Sequence, residues 1–133
     1  WGVTPLDSGR GNSSRSPQEI TETKSFLSIK TKLENCPDIT AAFCYNDLYA
    51  SLLIDVLRYL GKRIPEDFSV VGFDDSYIAV TGDVKLTTVA HPKFNYGARV
   101  ANALLDIIEG KKPRDYQELM DVDLVVRESC KNI

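Results

Sequence analysis

The sequence predicts an α/β fold built around a largely parallel sheet. Short apolar runs that resemble buried strands alternate along the chain with segments of helical periodicity. The clearest run, Phe68 to Phe73, is bounded by turn signals, which is typical of a buried strand in a parallel sheet. With 133 residues, the chain is long enough for one domain with its own core.

The composition is that of an ordinary globular protein, 43% hydrophobic and 26% charged. A net charge of −3 argues against a nucleic-acid surface, because phosphate binding needs clustered Lys and Arg. No run approaches the roughly 18 apolar residues that span a bilayer, and no basic and apolar signal region is present. The three cysteines include no CxxC pair, which favours reduced thiols over disulfide bonds. We therefore expect a cytoplasmic protein with no membrane partner.

The first half of the chain predicts a tail followed by helix, strand and helix. Residues 1–18, rich in Gly, Ser, Asn and Pro, are interpreted as a loop or disordered tail. A Ser-Pro-Gln-Glu start predicts a helix over residues 16–35. Residues 40–45 form a short apolar strand, and an Asn-Asp pair then precedes a helix over residues 47–60. Gly61 follows that helix, where a left-handed residue is favoured.

The helix over residues 47–60 carries an apolar face wider than the roughly 100° arc that one sheet covers. The surplus suggests a second packing partner, which could be another subunit. We expect the outer stripe, which includes Tyr49, Leu53 and Leu57, to form the interface of a homodimer.

The second half of the chain continues the alternation of strand and helix. The strand over residues 68–73 is followed by a loop that runs through Gly82 and Asp83. A short strand is predicted over residues 86–89 and a helix over residues 94–109, closed by a glycine. The alternating pattern over residues 120–126 has the period of a half-exposed strand.

Three polar residues each lie just past the end of a predicted strand. They are Asn46, Asp74 and His91. Because parallel neighbours end at the same sheet edge, and ligands of open α/β sheets bind at that edge, we expect the three side chains to meet there. An amide, a carboxylate and an imidazole together donate and accept hydrogen bonds, which suits a polyhydroxylated ligand.

Each of these residues has a purely structural alternative. Asn46 could only cap the next helix, although Asp47 is the better cap candidate. Asp74 or Asp75 could only stabilise the turn, and His91 could be a satisfied structural histidine. A hydrolase that uses the two aspartates with a divalent metal is a further alternative. However, the sequence shows no activated nucleophile and no glycine-rich phosphate loop, so we assign no catalytic residue, cofactor or metal.

Four segments of the chain resemble the lactose/galactose repressor family. They are Ala42–Asp47, Leu60–Asp75, Leu86–Pro92 and Leu124–Ser129, and they occur in the family's order and at similar spacing. The resemblance implies a Rossmann-like lobe of the periplasmic-binding-protein-like (type I) fold. Residues 19–133 would then be the carboxyl-terminal part of a sugar-binding domain, with the amino-terminal lobe and the DNA-binding domain largely absent.

The resemblance also implies a function. The chain would be the effector-binding and dimerisation module of a bacterial transcriptional repressor, with no enzyme activity, which contacts operator DNA through a domain absent from this chain. The positions of Asn46 and Asp74 bind the ligand in the family, where the position of His91 is usually Gln. The His-Pro-Lys run that starts at His91 is similar to arabinose repressors, so L-arabinose is a candidate effector. A periplasmic sugar-binding protein of a transporter is the alternative. The helix over residues 94–109 would lack its usual sheet in this chain.

Overall fold

Helices and strands alternate in the computed structural model, which describes residues 23–132 apart from the side chains of residues 93 and 94. The described elements are α1 (Lys24–Asn35), β1 (Ala41–Phe43), α2 (Asp47–Tyr59), β2 (Ser69–Phe73), α3 (Ile78–Thr81), β3 (Thr87–Ala90), α4 (Lys93–Ile108) and β4 (Asp123–Val125). Each of these helices is too short or too polar to cross a lipid bilayer.

The sheet has the strand order β1-β2-β3-β4. The first three strands run parallel, with Gly72 of β2 opposite Thr88 of β3, and β4 pairs antiparallel to β3. The predicted α/β fold with a mostly parallel sheet is therefore confirmed. Because β1, β2 and β3 are parallel neighbours, their carboxyl ends lie at one edge, which we call the strand-end rim.

The core lies between α2 and the sheet. Leu53 and Leu57 of α2 pack with Phe68 and Val70 in one buried cluster. The helix α1 covers the other side of α2, where Phe26 is buried and its ring meets the Tyr59 ring edge-on, with centroids 5.5 Å apart. The wide apolar face of α2 thus has two partners within the chain, the sheet and α1.

This packing corrects the reasoning behind the predicted dimer interface. Leu53 is 7% exposed and Leu57 is 1% exposed, and Tyr49 is half-buried, so the leucine side chains are not open to a second subunit. The helix α1 covers part of the apolar surplus, while Leu48 and Tyr59 of α2 stay 49% and 60% exposed. Homodimerisation itself stays a prediction, without these leucines as its seam.

Some element boundaries differ from the predicted ones. The described part of α1 begins at Lys24, where the Thr23 hydroxyl accepts a hydrogen bond from Phe26 N–H at 3.2 Å. The predicted helix start at residue 16 lies outside the described residues, as does the predicted tail. The predicted loop after β2 contains the single-turn helix α3, which is too short to show a period. Four large apolar side chains of α4 are more than half exposed, as expected of a helix without its sheet; they are Val100, Leu104, Leu105 and Ile108.

Candidate functional site

The strand-end rim brings Asp74 and His91 together. Asp74 directly follows β2 and His91 directly follows β3, and the Asp74 N–H donates to the Val89 carbonyl at 2.9 Å, which extends the pairing of the two strands to their ends. As a result, His91 Nε2 lies 3.4 Å from Asp74 Oδ1, and both side chains keep partial exposure to solvent. The predicted meeting of a carboxylate and the single imidazole at this edge is what the geometry shows.

Two aromatic rings flank the imidazole of His91. The Phe73 ring stacks on it at a centroid distance of 5.8 Å and an angle of 28°, and the Tyr96 ring lies tilted at the same distance. The polar pair is therefore set into apolar surface. A small-molecule site is usually lined by aromatic and other apolar side chains, with a few polar groups that converge on the ligand.

Asn46 lies at the same rim as the cap of α2. It has extended backbone dihedrals, and its Oδ1 accepts a hydrogen bond from Tyr49 N–H at 2.9 Å. The expectation that Asp47 would be the better cap is wrong, and the capping alternative for Asn46 is correct. This bond uses the amide oxygen of Asn46 and leaves its amino group as the part that a ligand could meet.

The Asp47 carboxylate is instead buried beneath the rim, with only 1% of the residue exposed. Its Oδ1 accepts from the Thr88 hydroxyl at 2.5 Å, and its Oδ2 accepts from Ser76 N–H at 2.6 Å. The carboxylate lies against the backbone of Gly72, where an added Cβ would come within 2.3 Å of Oδ1. Glycine is thus required at residue 72 by the close approach of Asp47. The carboxylate also lies in the first turn of α2, where the helix dipole favours negative charge.

The backbone that follows β2 is strained. Asp74 has a φ of 105° and Asp75 a φ of 44°, values that residues other than glycine seldom adopt. The Asp75 carboxylate accepts a hydrogen bond from Arg127 Nη2 at 2.6 Å, whereas the Asp74 carboxylate meets His91. The two adjacent aspartates therefore serve different partners. Within residues 23–132, no group of three His, Cys, Asp or Glu side chains is placed to hold a metal ion.

Several residues that fasten the strands and the loop after β2 were not singled out from the sequence. Thr88 and Arg127 anchor the loop after β2, and Arg127 also donates from Nη1 to the Leu86 carbonyl at 2.9 Å. At the opposite end of the strands, the buried Ser129 hydroxyl accepts from Thr87 N–H at 2.8 Å and donates to the Val70 carbonyl at 2.5 Å. A signal was present, because Arg127 and Ser129 belong to the last of the four resembling segments.

A concave feature lies away from the rim. A largely apolar groove of about 770 Å³ runs between α1 and β1, the edge strand of the described sheet, and includes Ile29, Leu33 and Phe43. It contains neither Asp74 nor His91. The candidate site is therefore the exposed rim rather than this groove.

Comparison with known proteins gives consistent matches. The chain matches the periplasmic binding protein-like domain family over residues 7–130. It is 43% identical over 98 residues to the arabinose metabolism transcriptional repressor of Geobacillus stearothermophilus, an alignment that covers 71% of this chain and 26% of that protein. The chain thus spans about a quarter of the length of that relative.

Solved structures give the same picture of the fold. The complex of the transcriptional regulator CelR with cellobiose matches with a TM-score of 0.70 and 34% identity, over 79% of this chain and 32% of the other. The lac repressor dimer bound to operator and an anti-inducer matches with a TM-score of 0.69 and 26% identity, over 80% of this chain and 37% of the other.

Proposed function

The chain belongs to the periplasmic binding protein-like family, in the form carried by lactose/galactose-type repressors, and on this premise we propose that it is part of the effector-binding region of a sugar-responsive transcriptional repressor. The contacts with operator DNA, the homodimer and the cytoplasmic location belong to the same proposal. They are supported by relatives that are named as repressors, one of them as a dimer on its operator.

The observation that carries the proposal is the Asp74–His91 pair on the strand-end rim. A carboxylate accepts hydrogen bonds from hydroxyl groups, and an imidazole can donate or accept one. Sugar hydroxyls do both, so the pair can bind two neighbouring hydroxyls of one ring. The Asn46 amino group, which follows the neighbouring strand β1, adds a further donor in this proposal, and the Phe73 and Tyr96 rings add apolar surface for the carbon skeleton.

We propose L-arabinose as the effector. The relative with 43% identity is named for arabinose metabolism, and His91 lies in the His-Pro-Lys run that resembles arabinose repressors. In this proposal, sugar binding favours one arrangement of the protein over another and so changes its affinity for operator DNA. The size of the change is limited by the difference in sugar affinity between the two arrangements.

A thermal-shift screen of the protein in its full natural length tests the proposal. L-Arabinose is compared with its D enantiomer, other pentoses, hexoses and cellobiose. A specific ligand at about 100 times its Kd stabilises the folded state by roughly 2.7 kcal/mol, which raises the melting temperature by several degrees. We expect a rise with L-arabinose but not with D-arabinose. No rise with any sugar would contradict the sugar-sensing role, and a rise with another sugar alone would contradict the choice of arabinose.

A further inference from the structure

We infer that Asp47 is a positioning residue for the effector site: its buried carboxylate holds the strained loop of residues 74–76 so that Asp74 faces His91. The inference rests on the proposed function, since it assigns a role toward the ligand that Asp74 is proposed to bind. It concerns a side chain that lies beneath the rim and does not itself reach the exposed surface.

The loop needs such an anchor because its backbone is unfavourable. Asp74 and Asp75 both have positive φ, and conformations of this kind persist only when the surrounding structure over-determines them. Asp47 fixes the far end of the loop through Ser76 N–H at 2.6 Å. The near end is fixed by β2, through the hydrogen bond from Asp74 N–H to the Val89 carbonyl.

Thr88 connects Asp47 to the middle of the loop. Its hydroxyl donates to Asp47 Oδ1 at 2.5 Å and accepts from Asp75 N–H at 3.4 Å. Arg127 completes the set by binding the Asp75 carboxylate at 2.6 Å. Every residue of the loop is therefore tied to β3, α2 or the segment after β4.

The choice of a carboxylate supports a role beyond stability. Burying a carboxylate costs free energy of desolvation, and well-packed apolar side chains usually stabilise a core at least as well. Asp47 nevertheless takes this position, and residue 72 has to be a glycine to leave room for its carboxylate. Unlike an apolar side chain, the carboxylate fixes the orientation of its partners, because it accepts hydrogen bonds from Thr88 and from the loop backbone at once.

The test compares four variants of the protein in its full natural length. Thr88→Val removes the hydroxyl without changing the shape of the side chain, and Thr88→Ser keeps the hydroxyl as the conservative rescue. Ser129→Ala is the matched control, because Ser129 also joins β2 to β3 by two buried hydrogen bonds but at the end away from the rim. Asp47→Ala is a further variant that removes the carboxylate itself.

Two measurements are made on each variant: amide hydrogen exchange without sugar, and the Kd for L-arabinose by calorimetry. We expect Thr88→Val and Asp47→Ala to speed exchange at Asp75 and Ser76 by about tenfold or more, because each removes a hydrogen bond that protects the loop. We expect them to weaken L-arabinose binding by about tenfold or more, the scale of one charge-assisted hydrogen bond. Thr88→Ser should bind within about threefold of the natural protein.

The control separates positioning from stability. Ser129→Ala should lower the melting temperature at least as much as Thr88→Val, yet leave the Kd within about twofold. Equal losses of affinity in Ser129→Ala and Thr88→Val would overturn the inference, as would slow exchange in the loop of Thr88→Val. If the natural protein binds no sugar, the proposed function fails, while the exchange measurement still decides whether Asp47 and Thr88 hold the loop.

Discussion

Replacing Gly72 by alanine tests the close packing under the strand-end rim. The new Cβ would lie 2.3 Å from Asp47 Oδ1, 2.7 Å from Leu86 Cδ2 and 3.3 Å from Thr88 Oγ1. The backbone at Gly72 does not have a positive φ, so the effect of the methyl group is steric. Asp47 cannot turn aside cheaply, because it would lose its hydrogen bonds to Thr88 and Ser76.

The expected cost follows from these contacts. Inserting a methyl group into a packed core costs about 1–3 kcal/mol, and a hydrogen bond to a charged group contributes about 1.5–3 kcal/mol. Because the clash has to displace both the Leu86 side chain and the Asp47 carboxylate, we expect Gly72→Ala to lower the free energy of unfolding by about 2–5 kcal/mol.

Urea denaturation followed by far-UV circular dichroism measures this loss. Gly97→Ala is the matched control: a Cβ there meets nothing within 4 Å inside the helix α4, so alanine should gain roughly 0.5–1 kcal/mol in helix propensity. In an Asp47→Ala background, Gly72→Ala should cost at least about 1 kcal/mol less than in the natural chain. A cost below about 0.5 kcal/mol in the natural chain, or an equal cost in both backgrounds, would refute the packing described here.

Three further predictions concern α2 and the cysteines. Leu57→Ala should lower the free energy of unfolding by about 2–5 kcal/mol, independently of protein concentration. Leu105→Ala, on the exposed face of α4, should lower it by no more than about 1 kcal/mol. A loss of stability at residue 57 that varies with protein concentration would instead support a dimer interface at this leucine. Asn46→Ala should lower the free energy of unfolding by about 1 kcal/mol, because the cap on α2 is lost, and Asn46→Asp should keep most of it; equal stability of the two variants in urea would contradict the capping role. Burial raises the pKa of the Cys44 thiol to about 11. Because the thiolate is the reactive form, alkylation at pH 8 should be roughly a hundredfold slower at Cys44 than at the exposed Cys36. Comparable alkylation rates at the two cysteines, measured by peptide mass spectrometry, would contradict this prediction.

The meeting of Asp74 and His91 could be predicted from the sequence because it depends only on strand order and direction. Apolar runs with turn signals located β2 and β3, and parallel neighbours necessarily end at one edge. The short helix α3 could not be predicted in the same way, since four residues hardly exceed one helical period.

The roles of Asn46 and Asp47 could not be separated by sequence, because both residue types are good helix caps. The choice depends on the space that Gly72 leaves for the Asp47 carboxylate, and no pattern local to residues 46 and 47 reveals that space. The second partner of α2 was hidden for a similar reason. The wide apolar face of α2 indicates how much surface must be covered. It does not indicate whether α1, which contributes Phe26, or another subunit covers that surface.

Calorimetric titration of the protein in its full natural length with L-arabinose tests the central claim most directly, through the variants Asp74→Asn and Asp38→Asn. Asp74→Asn removes the charge that is proposed to accept hydrogen bonds from the sugar, whereas Asp38 is an exposed aspartate that precedes β1 at its amino end. The account predicts that Asp74→Asn weakens binding by at least about 1.5 kcal/mol, roughly tenfold in Kd, while Asp38→Asn binds as the natural protein does. Unchanged affinity in Asp74→Asn would contradict it.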